Sequence, residues 1–467
     1  MNPNLISRGL NRVSSLWRPL PKGSDQKTSE PPAPLPAKQV RELRARLSDC
    51  AREVGGQVTA RTRAAALGDT YRAFDDGGKL EFLCLLAHDF GPDPKQVAQA
   101  HAGYAAAAGT PEQWQKEVEL RNAVASPRSR ILTQFNALPD GLKFLVDMRA
   151  DLLRFRDQRP GLAVLDCELR ERLASWFDVG FLRLEHITWN SPAALLEKLM
   201  QYEAVHAIAS WGDLRNRLDS DRRCYAFFHP RMPMEPLIFV EVALTSQLSG
   251  NIRELLDEHA PVLNPEKADT AIFYSISNTQ AGLRGVSLGN FLLKRVIEDL
   301  KRDLPRLNTF ATLSPIVHFR EWVDEWLAGG THEPLKLEDL RKLAAATGGK
   351  PARATLRAVL KEGKFSTDAA LSEAVREPLE KLAAFYLLEQ KKGALPHDTV
   401  ARFHLGNGAR IERLDWMADP STKGMKQSYG LMVNYRYVPS EMEENIDGFT
   451  REGRIAAVSA LRKLARS

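Results

Sequence analysis

The chain has 467 residues, more than one typical domain and enough for two or three. Its composition, 43% hydrophobic and 27% charged, is that of an ordinary globular protein, and no run approaches the roughly 18 apolar residues of a membrane span. The net charge of +6 is mild, and basic residues alternate with acidic ones, as in ELRARLSD at residues 42–49. With no zinc-finger spacing, aromatic ribonucleoprotein motif or basic run, neither a nucleic-acid partner nor a membrane partner is expected.

Residues 1–24 carry Arg8, Arg12, Arg18 and Lys22 and no acid. Leu5, Leu10, Val13, Leu16 and Trp17 give a rough helical face. The expectation is an unstructured start or a short surface helix in a cytoplasmic protein, with an organelle-targeting peptide as the alternative. Residues 24–38 are polar and proline-rich, so 1–38 reads as a flexible N-terminal segment.

From 39 to 177 the pattern is helical. Val40, Leu43, Leu47, Cys50 and Val54 recur at spacings of three or four, and Leu142, Leu145, Met148, Leu152 and Phe155 make another stripe. Thr110-Pro111-Glu112-Gln113 has the form of a helix start, with Thr110 as cap and Pro111 in the first turn. No reactive constellation occurs here, and His88 and His101 read as ordinary helix or surface residues. The segment is expected to be an all-helical domain for packing or assembly.

Beyond residue 178 the pattern becomes mixed. Residues 224–230, 236–244, 271–277, 308–314, 409–416 and 429–438 are rich in aromatic and β-branched residues and bounded by turn formers, so each is a predicted strand. Helical stretches lie between them, including an excursion at about 320–395. The fold class expected is α+β, with a helical domain at 39–177 and a sheet domain at 178–467. Cys50, Cys84, Cys167 and Cys224 form no CxxC pair, and the ten histidines show no HExxH spacing. No metal is expected, and the cysteine usage suits a reducing compartment.

Three constellations could carry chemistry. In the first, a strand at 271–277 leads to the turn Arg284-Gly285-Val286-Ser287-Leu288-Gly289-Asn290 and then to an amphipathic helix. Glycines allow close backbone approach, and free N–H groups at a helix start bind anions, so this turn is the candidate substrate-binding segment. In the second, Pro315 directly follows Ser314, which forbids a helical start and favours an extended serine at a strand end. In the third, His404 precedes Gly406-Asn407-Gly408, which fits a hairpin or a backbone opening. His404 becomes a proton-transfer candidate if it lies near Ser314 in space.

Taken together, residues 229–245, 273–296, 309–322, 403–425 and 429–437 resemble the malonyl-CoA decarboxylase family. The likeness is dense in the C-terminal half and looser in the helical half. It implies a GNAT-like catalytic domain and a helical domain that mediates homo-oligomerisation, as a dimer or tetramer. It also implies that Ser314 and His404 serve the reaction and that residues 284–290 lie at the malonyl-CoA site. The turn approximates the GNAT pyrophosphate loop, with Ser287 at its first glycine position. The likeness departs at Ser287, where the family's turn carries a glutamate, so no proton-transfer role is assigned to it.

The implied reaction converts malonyl-CoA to acetyl-CoA and carbon dioxide through a thioester enolate. The thioester accepts the electrons, so no biotin, thiamine or pyridoxal cofactor is expected. An ordinary histidine, with a pKa near ~6.5, suits protonation of the enolate carbon. The alternative readings are a GNAT-type acyltransferase and a non-catalytic CoA-binding assembly protein.

Overall fold

The structure, a computed structural model, describes residues 35–52, 56–286, 288 and 292–466. Residues 1–24, Val54, Ser287, Gly289 and Asn290, named above, lie outside the described residues. No described helix is long and apolar enough to cross a membrane. The chain forms two compact units, Met1–Leu138 with Arg154–Leu165, and Pro139–Leu153 with Asp166–Ser467.

The first unit is helical. Its helices include Ala37–Ala51, Gly56–Ala73, Asp76–Asp89 and Pro127–Asn136. Leu43, Leu47 and Cys50 of the first face Ile131, Leu132 and Phe135 of the last within a buried core. Helix starts are set by local polar chemistry: Asp75 accepts from the Gly78 N–H, and Asp93 accepts from Lys95 ahead of Pro94. The expected cap at Thr110 is corrected. That helix begins at Gln113, because the Thr110 hydroxyl donates back to the Ala107 carbonyl, while Gln113 accepts from the Gly109 N–H.

The second unit opens with most of helix Gly141–Phe155 and of helix Leu162–Trp176, then forms a sheet. Its strands are β1 (Arg183–Ile187), β2 (Arg222–Phe228), β3 (Ile238–Thr245), β4 (Thr270–Asn278), β5 (Thr309–Thr312) and β6 (Ser314–Pro315). A small hairpin, β7 (Lys391–Lys392) and β8 (Leu395–Pro396), stands apart, and β9 (Arg410–Asp415) and β10 (Met432–Tyr437) complete the sheet. The predicted strands are all present, and the α+β class is the one observed. β1 is an addition: only Ile187 of its five residues is buried, so this edge strand lacks a hydrophobic signal.

Strands β1 to β4 pair antiparallel in sequence order, and β4 pairs parallel with β5. β10 then pairs with β5 and β6 on one side and β9 on the other. The parallel connection between β4 and β5 is made through helix Leu292–Asp303, which buries Leu292, Leu293, Val296, Ile297 and Leu300. Burying each such side chain contributes roughly 1.5–3 kcal/mol. Between β6 and β7 the chain makes a helical excursion, Phe319–Gly329, Arg341–Thr347, Arg353–Glu362 and Ala369–Glu389.

Two irregularities open the sheet at one place. The β3–β4 register shifts after Glu241, so Tyr274 is an extra residue and β4 bends there. The β4–β5 pairing ends at Phe273 and Thr312, although β4 continues to Asn278. The far half of β4 therefore diverges from β5 and leaves a gap in the sheet.

Candidate active site

Ser314 sits beside that gap. The Leu313 N–H still donates to the Phe273 carbonyl, after which β6 pairs with β10 through Ser314 and Val433. The Thr312 hydroxyl takes the Tyr435 N–H at 3.1 Å, supplying a side-chain acceptor where the ladder breaks. Asn434 adds a second tie, its amide donating to the Thr312 carbonyl at 2.7 Å. As a result, Ser314 is extended, as its following proline requires, and almost fully buried.

His404 arrives from helix Thr399–Gly406. This corrects the hairpin expected around Gly406-Asn407-Gly408. The buried Asp398 caps the helix through the Ala401 N–H at 2.7 Å, and His404 occupies its last turn. Gly408, at φ +84°, then ends the helix with its Cα against the Met442 backbone.

Ser314 and His404 are brought together across 90 positions of sequence, with Ser314 Oγ 3.2 Å from His404 Nε2. Ser314 Oγ also donates to Thr312 Oγ1 at 2.8 Å. On the far side of the ring, His404 Nδ1 lies 2.7 Å from the Tyr437 hydroxyl. Tyr435 stacks on the imidazole face, with ring centroids 4.5 Å apart. These bonds close in one direction: Tyr437 O–H donates to Nδ1, Nε2–H donates to Ser314, and Ser314 donates to Thr312.

Burial pushes the His404 pKa down to about 3, and no charged side chain contributes to that shift. Burial likewise pushes Tyr437 and Tyr435 well above the ordinary phenol range. At neutral pH every member of the chain is uncharged. The expectation of a histidine with an ordinary pKa is therefore corrected to a neutral imidazole oriented by a phenol.

A cavity of about 480 Å³, within the usual size of a small-ligand pocket, reaches Phe403, the neighbour of His404, and is lined by neither Ser314 nor His404. Its wall includes Asn278 and Gln280 at the end of β4, then Arg284, Gly285, Val286 and Leu288 of the expected turn. Phe403 closes it, and the Phe403 ring meets that of His404 edge-on at 5.1 Å. Of the seven turn residues, these four are thus placed at one cavity with the neighbour of His404.

Tyr437 and Tyr435 were not singled out from sequence. The available signal was alternation: Val433, Tyr435 and Tyr437 share one face of β10, and Val433 is the partner of Ser314.

The chain matches the family described as malonyl-CoA decarboxylase C-terminal domain over residues 180–467, and the corresponding N-terminal domain over residues 90–177. It is 38% identical to mitochondrial malonyl-CoA decarboxylase of Rattus norvegicus over 382 residues, 79% of this chain and 77% of that protein. Against the mitochondrial enzyme of Anser anser anser it is 37% identical over 401 residues, 83% and 80% of the two chains. The solved malonyl-CoA decarboxylase of Rhodopseudomonas palustris superposes with a TM-score of 0.81 at 40% identity, covering 91% of this chain and 99% of that one. That of Agrobacterium vitis gives 0.82 at 39% identity, with the same coverage.

Proposed function

The chain belongs to the malonyl-CoA decarboxylase family, and from that premise we propose that Ser314 and His404 work at the reacting end of malonyl-CoA, which is converted to acetyl-CoA and carbon dioxide. The observation that carries the site assignment is the 3.2 Å contact between two side chains 90 positions apart, next to a cavity walled by the expected substrate turn.

In this reading the CoA ester enters along residues 284–290 and its malonyl group reaches Ser314. The carbon–carbon bond to the carboxylate breaks, carbon dioxide leaves, and the electron pair moves into the thioester carbonyl as an enolate. A donor aimed at that oxygen is worth about 2.7–4 kcal/mol in the transition state. Turning from Thr312 and from Ser314 toward the substrate, the Ser314 hydroxyl and His404 Nε2–H are the two donors for it. The enolate carbon then takes one proton from this chain, and solvent restores it. Since burial keeps His404 neutral, the donor is an uncharged hydroxyl or N–H, which a basic enolate can deprotonate. Tyr437 holds the imidazole with Nε2–H facing Ser314 and supplies no charge.

Release of carbon dioxide from malonyl-CoA by the purified protein, with no acyl acceptor present, tests the reaction. An acyltransferase would release none under those conditions.

The same reading makes the helical segment 39–177 the assembly region of a homo-oligomer, testable by light scattering. It also puts the protein in a reducing, cytoplasmic compartment, consistent with four free cysteines. Cell fractionation decides between that placement and the mitochondrial one in the names of its relatives.

A further inference from the structure

We propose that Arg149 is a positioning residue that shapes the substrate turn from behind and directs the Gly285 N–H toward the bound CoA ester. Arg149 lies in helix Gly141–Phe155 and is 2% exposed. Its Nε donates to Asp166 Oδ1 at 2.8 Å, and its Nη1 donates to two carbonyls of the turn, Gly282 at 2.6 Å and Arg284 at 2.8 Å. Guanidinium geometry suits this division, because its N–H groups form a rigid fork. The turn also rests directly on the helix. A Cβ built at Gly282 would lie 1.8 Å from the Val146 carbonyl oxygen, so no other residue fits there.

The clamp has a consequence on the opposite side of the peptide. In a trans peptide the carbonyl and the following N–H point in opposite directions. Holding the Arg284 carbonyl against Arg149 therefore sends the Gly285 N–H away from the helix. Gly285, at φ +75°, lines the cavity together with Arg284 and Phe403. The N–H groups of Leu283, Arg284 and Val286 are taken by the carbonyls of Gln280, Ala281 and Leu283, whereas that of Gly285 has no acceptor among the described residues. Among the described turn residues it is one donor open to an oxygen of the ligand. Gln280 pins the other flank by donating to the Pro236 carbonyl at 3.1 Å. Asp166 neutralises the guanidinium, so the clamp contributes direction rather than net charge.

The identity of the ligand rests on the functional reading above, whereas the clamp itself does not. The test uses the full-length protein and two variants, Arg149→Lys and the double variant Arg149→Met/Asp166→Asn. The double variant removes the clamp without stranding a buried carboxylate. Coenzyme A affinity by titration calorimetry, KM and kcat for malonyl-CoA, and thermal unfolding are measured together. For the double variant with a cooperative unfolding transition, we expect coenzyme A binding at least tenfold weaker, KM at least tenfold higher, and kcat within threefold of the parent. Arg149→Lys, which keeps the charge but not the fork, falls between. Unchanged coenzyme A affinity in the folded double variant overturns the proposal, as does a loss of kcat with affinity intact. A parent protein that binds coenzyme A but releases no carbon dioxide refutes the functional reading instead, and the affinity ratio still judges the clamp.

Discussion

Tyr437→Phe removes one oxygen atom from the site and leaves its packing in place. The ring is buried and meets Phe273 edge-on at 6.2 Å, contacts that Phe reproduces. What disappears is the 2.7 Å bond to His404 Nδ1. A buried acceptor deprived of its donor costs about 1–3 kcal/mol, so the variant unfolds at lower denaturant by that amount. The same bond selects the tautomer with Nε2–H toward Ser314. Losing about 1.4–2.8 kcal/mol of that preference lowers the rate roughly 10- to 100-fold. Tyr437 bonds the imidazole on the side away from Ser314, so KM for malonyl-CoA should stay within about threefold. Initial rates of carbon dioxide release at saturating malonyl-CoA measure the effect, and nitrogen NMR of labelled histidine reports the tautomer directly. A Phe variant that keeps more than half of the parent kcat would refute the orienting role of Tyr437. So would an unchanged tautomer signature.

Ser314→Ala and His404→Asn should each lower kcat by about 10²-fold or more while circular dichroism stays that of the parent, since each removes one of the two donors. With His404 pushed down to about 3, kcat should be level between pH 6 and 8 as far as His404 is concerned. A histidine acid at its ordinary value would instead lose roughly 25-fold over that range. The depressed pKa also makes His404 stabilising above its ordinary value. Denaturant titrations from pH 7 downward should show that contribution fading from about pH 6.5 to pH 3, by up to about 1.4 kcal/mol per pH unit. Asp398 has the opposite sign: burial raises its pKa from 3.8 to about 7, so its protonated form favours the fold and that stability is lost as pH rises through this window. Asp398→Asn keeps a capping side chain and cannot ionise, so at pH 8 it should be more stable than the parent, by roughly 4 kcal/mol at most. Equal stability of the two at pH 8 would contradict a buried carboxylate. Ser287→Glu restores the residue expected of the family's turn and should retain carbon dioxide release; an inactive but folded variant would mean that this turn is built differently.

Much of this architecture was legible in the sequence because it depends on local periodicity. The strands β2 to β5 and β10 are runs rich in apolar, aromatic and β-branched residues, and the Ser314-Pro315 pair dictates an extended serine. Helix Leu292–Asp303 carries an apolar stripe that marks its buried face. β1 was not legible, since an edge strand with one buried residue has no pattern to read. Nor was the helix carrying His404. Its glycines suggested a turn, but Asp398 caps a helix whose inner face, with Ala401, His404 and Leu405, is buried.

The sequence by itself determined most of the elements, the family, and the two side chains proposed for the decarboxylation. Tertiary structure alone decided how those side chains are disposed. A hydrogen bond depends on a few tenths of an ångström and a pKa depends on how much water is excluded, and neither is encoded at any one position. Closing helix Thr399–Gly406 over the break between β5 and β6 set Ser314 against His404 and drove the imidazole neutral. It also set Tyr437, a residue that in sequence is simply the last aromatic of a strand, against His404 Nδ1.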